Sequence, residues 1–436
     1  MYKTILSLSF IVATRFFGLF IVLPIFGLYA SNLEHSTTIL AGVAIGIYAL
    51  MQVIFQIPFG LISDKFGRKN TMAFGLIIFI IGSLICGFSN DIYLMILGRA
   101  IQGSGAIGAV GIAMISDFTK EEDRGKAMAI MGIMIGLSFA LSMAISPILA
   151  NKFGLGMLFH ISTILSVLCI FLLYMVVPKD IKIKSLSQNL SLKEIISDKD
   201  LAIMNLTNFL QKMFMTMAFF ITPIVLVRAL KFNEDSLWIV YVLAMIFGLI
   251  AMGLAGFLGE KKGFAKNILI FGVLFFMVSY LFFAISSNQY AFITGVILFF
   301  IGFNMHEPIM QSVASKFAKA SQKGTVLGIF NSAGYFGSFI GGLLGGIMLE
   351  NLGVKELSSA VFIISIIWLL LLITLTNPNI FKNIYFEKEF DFSRLIDVKG
   401  FIECYKKNSG FVVKYNSKLI KEDKILDILG VKDGKI

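Results

Sequence analysis

The sequence predicts an all-α membrane protein, twelve spans in two six-helix bundles, with a small cytoplasmic α/β domain at the C-terminal end. Three observations predict it. Of 436 residues, 57% are hydrophobic and only 14% charged, with mean hydropathy +0.88, whereas soluble chains carry about a quarter charged residues. The apolar residues gather in twelve segments of at least 19 residues, near the ~20 needed to cross ~30 Å of hydrocarbon. The two halves also echo each other. Gly60 to Gly67 (GLISDKFG) aligns with Gly256 to Gly263 (GFLGEKKG) at an offset of 196, and Arg124-Gly125 with Lys323-Gly324 at 199, as in a duplicated membrane bundle.

The segments run 4–30, 39–62, 71–89, 92–116, 126–150, 156–177, 201–228, 236–259, 267–286, 290–314, 324–350 and 356–376. The first is too long for a signal-peptide core and contains Arg15, so it reads as a retained helix. Counted with flanking residues, the loops after even-numbered segments carry 17 Lys or Arg and those after odd-numbered segments 4. Positive charge resists translocation, so the even loops and both termini are expected in the cytoplasm. The chain divides into an N-terminal bundle (1–177), a linker with five lysines (178–200), a C-terminal bundle (201–376) and a soluble domain (383–436). In that last part, 384–390 reads as a strand, 393–398 as a short helix, 400–405 and 411–415 as a hairpin, and 421–429 as a helix. About fifty residues are marginal alone, so docking on the membrane part is expected.

The net charge of +11 is spread over alternate loops, which is a topology signal and argues against a nucleic-acid partner. The abundance of Phe, Ile, Lys and Asn is compositional and assigns no function. Cys86, Cys169 and Cys404 form no CxxC pair, so neither disulfide framework nor metal site is expected. No phosphate-binding loop of the G-x-x-x-x-G-K-[ST] type occurs, and no nucleophile–base pair is visible. The chain therefore reads as a non-enzyme without cofactor, driven by a proton gradient if driven at all.

Ionisable groups deep in apolar helices are costly and by default functional. They fall on four segments: Arg15 on the first, Arg99 on the fourth, Lys212 on the seventh, and Glu307 with His306 on the tenth. Arg15 and Lys212 lie about eleven residues in, roughly 16 Å deep at ~1.5 Å per residue. Glu307 is the only acid well inside a segment. Burial disfavours the charged form of a carboxyl, which suits a reversible proton carrier; a structural pair with Lys212 is the competing reading. Asn304 shares its helix face, whereas His306 points about 100° away. Tyr48, Gln52 and Gln56 recur every fourth residue on the second segment; such stripes bind substrate or glue helices together.

The stretch Gly60, Asp64, Gly67, Arg68 and Lys69, with Arg99-Ala-Ile-Gln102-Gly103-Ser104-Gly105-Ala106 on the fourth segment, resembles the major facilitator superfamily. Within it, the chain is similar to the twelve-helix drug:proton antiporters, and to the YajR-type transporters that add a C-terminal ferredoxin-like domain. The fifth segment departs from the antiporter pattern, with Ser142, Ser146, Pro147, Ala150 and Asn151 where Gly-Pro and Gly-Gly are favoured. The resemblance implies a proton-coupled exporter of small molecules in a bacterial cytoplasmic membrane, a monomer working by alternating access. Helices 1, 4, 7 and 10 would line its cavity, giving Arg15, Gln52, Gln56, Arg99, Gln102, Lys212, Asn304 and Glu307 as proton or substrate residues. It further implies a latch in which Asp64 caps the start of helix 11 near Gly324 and Arg68 pairs with Asp117, with Gly60 and Gly67 permitting the turn. Three cations against one acid favour an anionic or neutral amphipathic substrate. A pH-independent facilitator, or a non-transporting sensor that uses the tail domain as output, are the alternatives.

Overall fold

The computed structural model describes residues 2–119, 124–178, 192–407 and 410–431. Most of the expected 178–200 linker and the last residues of the tail lie outside them. The twelve apolar segments form twelve spanning helices. They are α1 (Tyr2–Phe20), α2 (Thr38–Phe66), α3 (Arg68–Phe88), α4 (Ile92–Asp117), α5 (Arg124–Phe153), α6 (Leu155–Val176), α7 (Lys199–Ile224), α8 (Leu237–Gly256), α9 (Ala265–Ile285), α10 (Gln289–Phe317), α11 (Lys323–Asn351) and α12 (Val354–Ile373).

Polar residues at the segment edges start the helices. Thr37, Asp91, Asp198 and Asn288 each accept a backbone N–H from the first turn that follows, satisfying groups that have no intrahelical partner. Four of the tight turns between helices place a glycine at positive φ: Gly67 and Gly263, 196 residues apart, and Gly154 and Gly353, 199 apart. These separations equal the offsets of the sequence echo, so the duplication extends to turn geometry that only glycine adopts cheaply.

Two helices expected to be continuous are interrupted. After Phe20 the chain passes through turns around Pro24 and resumes as a short helix, Phe26–Ala30; proline offers no N–H for a continuous ladder. α4 breaks at residues 105–107 and restarts at Gly108.

Glycines on α11 face two neighbours. A Cβ on Gly337 or Gly341 would lie 2.1 or 2.3 Å from a backbone oxygen of α7, and one on Gly342 would lie 2.5 Å from Gly42 O on α2. Small residues thus let three backbones approach, the main source of cohesion where lipid removes the hydrophobic drive.

The C-terminal part is an antiparallel three-stranded sheet of β1 (Phe381–Phe386), β2 (Phe401–Lys407) and β3 (Gly410–Asn416), in the order β1-β3-β2, closed by α13 (Glu422–Leu429). Ile384, Phe386, Leu395, Val413, Tyr415, Ile425 and Leu429 make its core. A register shift between Phe401 and Glu403 sets Glu403 opposite Lys414. Both reach the turn between α10 and α11. Glu403 accepts the Ala320 N–H on both oxygens (3.0 Å each), and the Lys414 ammonium donates to Ala318 O at 2.6 Å. Phe381 packs edge-on against Phe317. Burial and the nearby Lys323 hold the Lys414 ammonium below the usual lysine range, against the pull of Glu403.

Removing one partner of a buried, charged hydrogen bond costs about 1.5–3 kcal/mol. Glu403→Ala combined with Lys414→Met is therefore expected to undock the sheet while leaving its own core folded. Limited proteolysis of the segment near Asn377 should quicken several-fold, with the spanning helices unchanged by circular dichroism.

Candidate functional site

The intramembrane charges form two clusters, one in each half. In the C-terminal half, Glu307 on α10 meets α7. Its Oε1 accepts from Lys212 Nζ at 2.6 Å and from Gln211 Nε2 at 2.9 Å. Lys212 also lies 4.9 Å from the centre of the Phe303 ring. The two charged side chains keep 25% and 33% of their surface accessible. Gln211 had no place among the sequence candidates. Its adjacency to Lys212 was the available signal, but adjacent helical residues do not ordinarily share a face.

In the N-terminal half, Arg99 is fully buried. Its Nε faces Ala44 O at 3.4 Å, Nη1 donates to Gln102 Oε1 at 2.5 Å, and Gln102 Nε2 donates to Ser83 Oγ at 2.8 Å. The guanidinium stacks over Tyr48, 4.7 Å from the ring centre. Arg15, also buried, approaches the same ring at 5.9 Å. Gln52 donates to Gly103 O and joins α2 to α4. Gln56 is half-buried, with no hydrogen bond among the described residues.

Asn304 is not brought to Glu307. It donates to Phe300 O at 2.8 Å and lies against Gly248 of α8. Asn208 likewise donates to Phe330 O and fills the space beside Gly334. His306 faces α9, with Nε2 2.8 Å from Leu269 O, and packs on Gly272, Phe276 and Trp368. These polar groups join helices within the C-terminal half.

One aromatic bridge crosses between the halves. Phe139 of α5 touches Phe20 on one side and Phe219, Phe300 and Phe303 on the other, at ring-centre distances of 4.9–6.5 Å. Phe303 is the ring beside Lys212, so the bridge abuts the ion pair. Phenylalanine is common enough in this sequence that no single one stood out.

The Gly60–Lys69 stretch ties its own bundle together. Arg68 Nε pairs with Asp117, while Arg68 Nη1 contacts Asp64 and Ser63, each at 3.2 Å. Lys69 donates to Val177 O at the end of α6. In the repeat, Glu260 pairs with Lys316 at 3.1 Å and accepts from Ser312. The helix 11 contact expected of Asp64 is not made. Its carboxylate is 58% exposed, Gln322 caps α11 with no side-chain bond, and among the described residues no hydrogen bond joins Asp64 to α11.

Among the described residues, the hydrogen bonds between the halves lie at the other end. There, Ile39 N–H donates to Glu350, Arg228 Nη2 donates to Leu28 O, Ser31 and Asn32, Asn151 bonds Asp235, and the Tyr241 hydroxyl donates to Pro24 O. The α2–α11 glycine contact lies at this same end. Toward the basic loops, an added Cβ at Gly60 (α2), Gly132 and Gly136 (α5), Gly253 (α8), or Gly324 and Gly328 (α11) would meet nothing within 4 Å. The helices that face one another across the halves are therefore seated at one end, and among the described residues no hydrogen bond joins them at the other.

The sequence profile of the Major Facilitator Superfamily matches residues 8–342 and, in a second match, 204–393. An uncharacterized transporter of Buchnera aphidicola subsp. Baizongia pistaciae is 34% identical over 373 residues, covering 84% of this chain and 95% of its own. The inner membrane transport protein YajR of Escherichia coli is 34% identical over 377 residues, covering 85% and 83%. The crystal structure of a D-xylose-proton symporter superposes with a TM-score of 0.72 at 14% identity, covering 86% of this chain and 98% of that one; this likeness concerns the fold.

Gly42 lies at the seated end, where a Cβ would fall 2.3 Å from Gly342 O. Overpacking of this kind costs about 1–3 kcal/mol, so Gly42→Leu is expected to shift the molecule away from the seated arrangement about tenfold. Disulfide cross-linking of Asn151→Cys with Asp235→Cys, in a background lacking the three native cysteines, should fall accordingly.

Proposed function

This chain belongs to the Major Facilitator Superfamily, and we propose that it is a proton-coupled secondary transporter that exports small anionic or neutral amphipathic molecules by alternating access. The observation that carries this reading is the Glu307–Lys212 pair. Glu307 is the only acid away from helix ends in the described spans. It is partly accessible and bound to a cation and an amide through one oxygen, which leaves Oε2 for a proton. Protonation would discharge the carboxylate and free Lys212. A proton and a substrate that bind the two orientations unequally are then coupled through them.

Bundles 1–177 and 201–376 are the bodies that would rock. The arrangement seen, joined away from the basic loops, supports an inward-open state, since loop charge favours those loops in the cytoplasm. In the opposite orientation Asp64 would meet the first turn of α11, where unpaired N–H groups and the helix dipole favour a carboxylate. The E. coli relative's description supports an inner-membrane setting. The β–turn–β–β–α order of the tail supports a ferredoxin-like reading of that domain.

In proteoliposomes with an imposed pH gradient, Glu307→Gln is expected to lower gradient-driven flux of the transported solute at least about tenfold while substrate exchange without a gradient persists. Flux indifferent to pH in the unaltered protein would favour the facilitator instead. Ethidium export abolished by the same substitution would overturn the anionic or neutral assignment. Asp64→Asn is expected to slow transport severalfold with little change in thermal stability, because its present pair with Arg68 is exposed; unaltered flux at normal expression would remove the latch.

A further inference from the structure

The N-terminal half holds a charge that no described acid answers. Arg15 is 1% exposed, and none of its three guanidinium nitrogens has a hydrogen-bond partner. The Tyr48 hydroxyl and Arg99 Nη2 are also buried without one. The described acids of this half, Glu34, Asp64, Asp91 and Asp117, all lie at helix ends or in loops. An unpaired buried charge is among the costliest arrangements a fold can keep. Water could satisfy the hydrogen bonds, but it would leave two cations around one ring uncompensated.

The break in α4 lies beside this guanidinium. The half-helix Gly108–Asp117 begins with no side-chain cap, so its first N–H groups have no intrahelical acceptor and its positive dipole end is bare. A Cβ on Gly108 would find Arg15 Nη1 as its only neighbour within 4 Å, at 3.7 Å. The guanidinium thus lies against the helix end, and Gly108 and Ala109 beside it are half-buried. Broken helices in transporters aim such ends at anionic groups, and a guanidinium fork matches a carboxylate.

We propose that Arg15, the Tyr48 hydroxyl and the first turn of the Gly108–Asp117 half-helix form an anion subsite that takes one small monovalent group, a carboxylate or chloride. This deepens the transport reading, on which only the identity of that group as part of the transported solute rests. It separates two tasks. The C-terminal pair, neutral as a unit, handles the proton, and the unanswered cation in the N-terminal half holds the anion.

The test uses the full-length protein in detergent, with HEPES as the only anion and ionic strength held constant. Acetate and chloride are the probes, and thermal unfolding is the readout. A saturable rise in Tm of about 2 °C or more is expected. It should be lost in Arg15→Gln, and also in Gly108→Leu, which sets a side chain against the helix end with the guanidinium still present. Gel filtration and circular dichroism establish that both variants are folded. Acetate that chloride does not displace identifies a solute carboxylate, and acetate that chloride displaces identifies an inorganic anion; either outcome supports the subsite. No saturable rise, or the same rise in both folded variants, overturns it. Glu307→Gln should titrate like the unaltered protein. Intact proton-driven flux with a failed titration therefore sinks the subsite alone, and failed flux with an intact titration sinks the transport reading alone.

Discussion

A charge carried into a hydrocarbon slab has to be answered by the protein, because no water stands by to do it. The rest of this structure is arranged around that requirement. The C-terminal half answers Lys212 with Glu307 and reinforces the carboxylate with Gln211. The N-terminal half answers Arg99 with a carbonyl, a glutamine and three aromatic faces, none of which carries a charge. The difference has a chemical consequence. A guanidinium stays charged at any pH of interest, so the N-terminal cluster cannot be neutralised by gaining or losing a proton. Of the two intramembrane clusters, only the one that holds a carboxylate can change its net charge by one proton at its acid. The duplicated halves thus share a backbone plan and divide the electrostatics.

The same slab dictates how the halves hold together. With lipid on all sides, close backbone approach has to do what hydrophobic burial does in water. The α11 glycines supply that approach on two faces, toward α7 within the half and toward α2 across the interface. The first contact is made by Gly334, Gly337 and Gly341, and the second by Gly342 and Gly346 nearer the helix end. Polar links between Arg228 and residues 28–32, between Asn151 and Asp235, and between Ile39 and Glu350 cluster beside the second contact.

Much of this was legible in the sequence because the governing physics is local. Span length, loop charge and cap residues each depend on a few neighbouring positions, so the twelve helices and the tail's strand–strand–helix order fall where hydropathy and turn chemistry place them. The membrane charges were equally visible, and the Arg68–Asp117 pair was implied by the family resemblance. What a side chain faces was not. Asn304 lies three residues from Glu307, yet it turns to Gly248, because that glycine leaves space and Phe300 O offers an acceptor. Phe139 is one of 44 phenylalanines, and only the packing of α5 against the C-terminal half makes it a bridge. The break in α4 was hidden in a motif that carried the family resemblance. The missing Asp64–α11 contact reflects which end is seated, and that belongs to the conformation, not to the residues.

The tail adds a constraint of its own. The turn 318–320 is held by Glu403 and Lys414 of the sheet, and three residues later α11 begins. Behind it, Ile195, Leu201, Ala318 and Val326 form one apolar cluster, so the sheet, the short helix Leu192–Ser197, the start of α7 and the first turn of α11 share a foundation. The contact binds backbone groups of the turn, not its side chains, so it fixes position and tolerates changes of residue there. The end of α11 that would have to meet Asp64 is therefore not free to drift toward it. Any closing motion at the basic-loop end has to carry the sheet along with its own bundle, as one body.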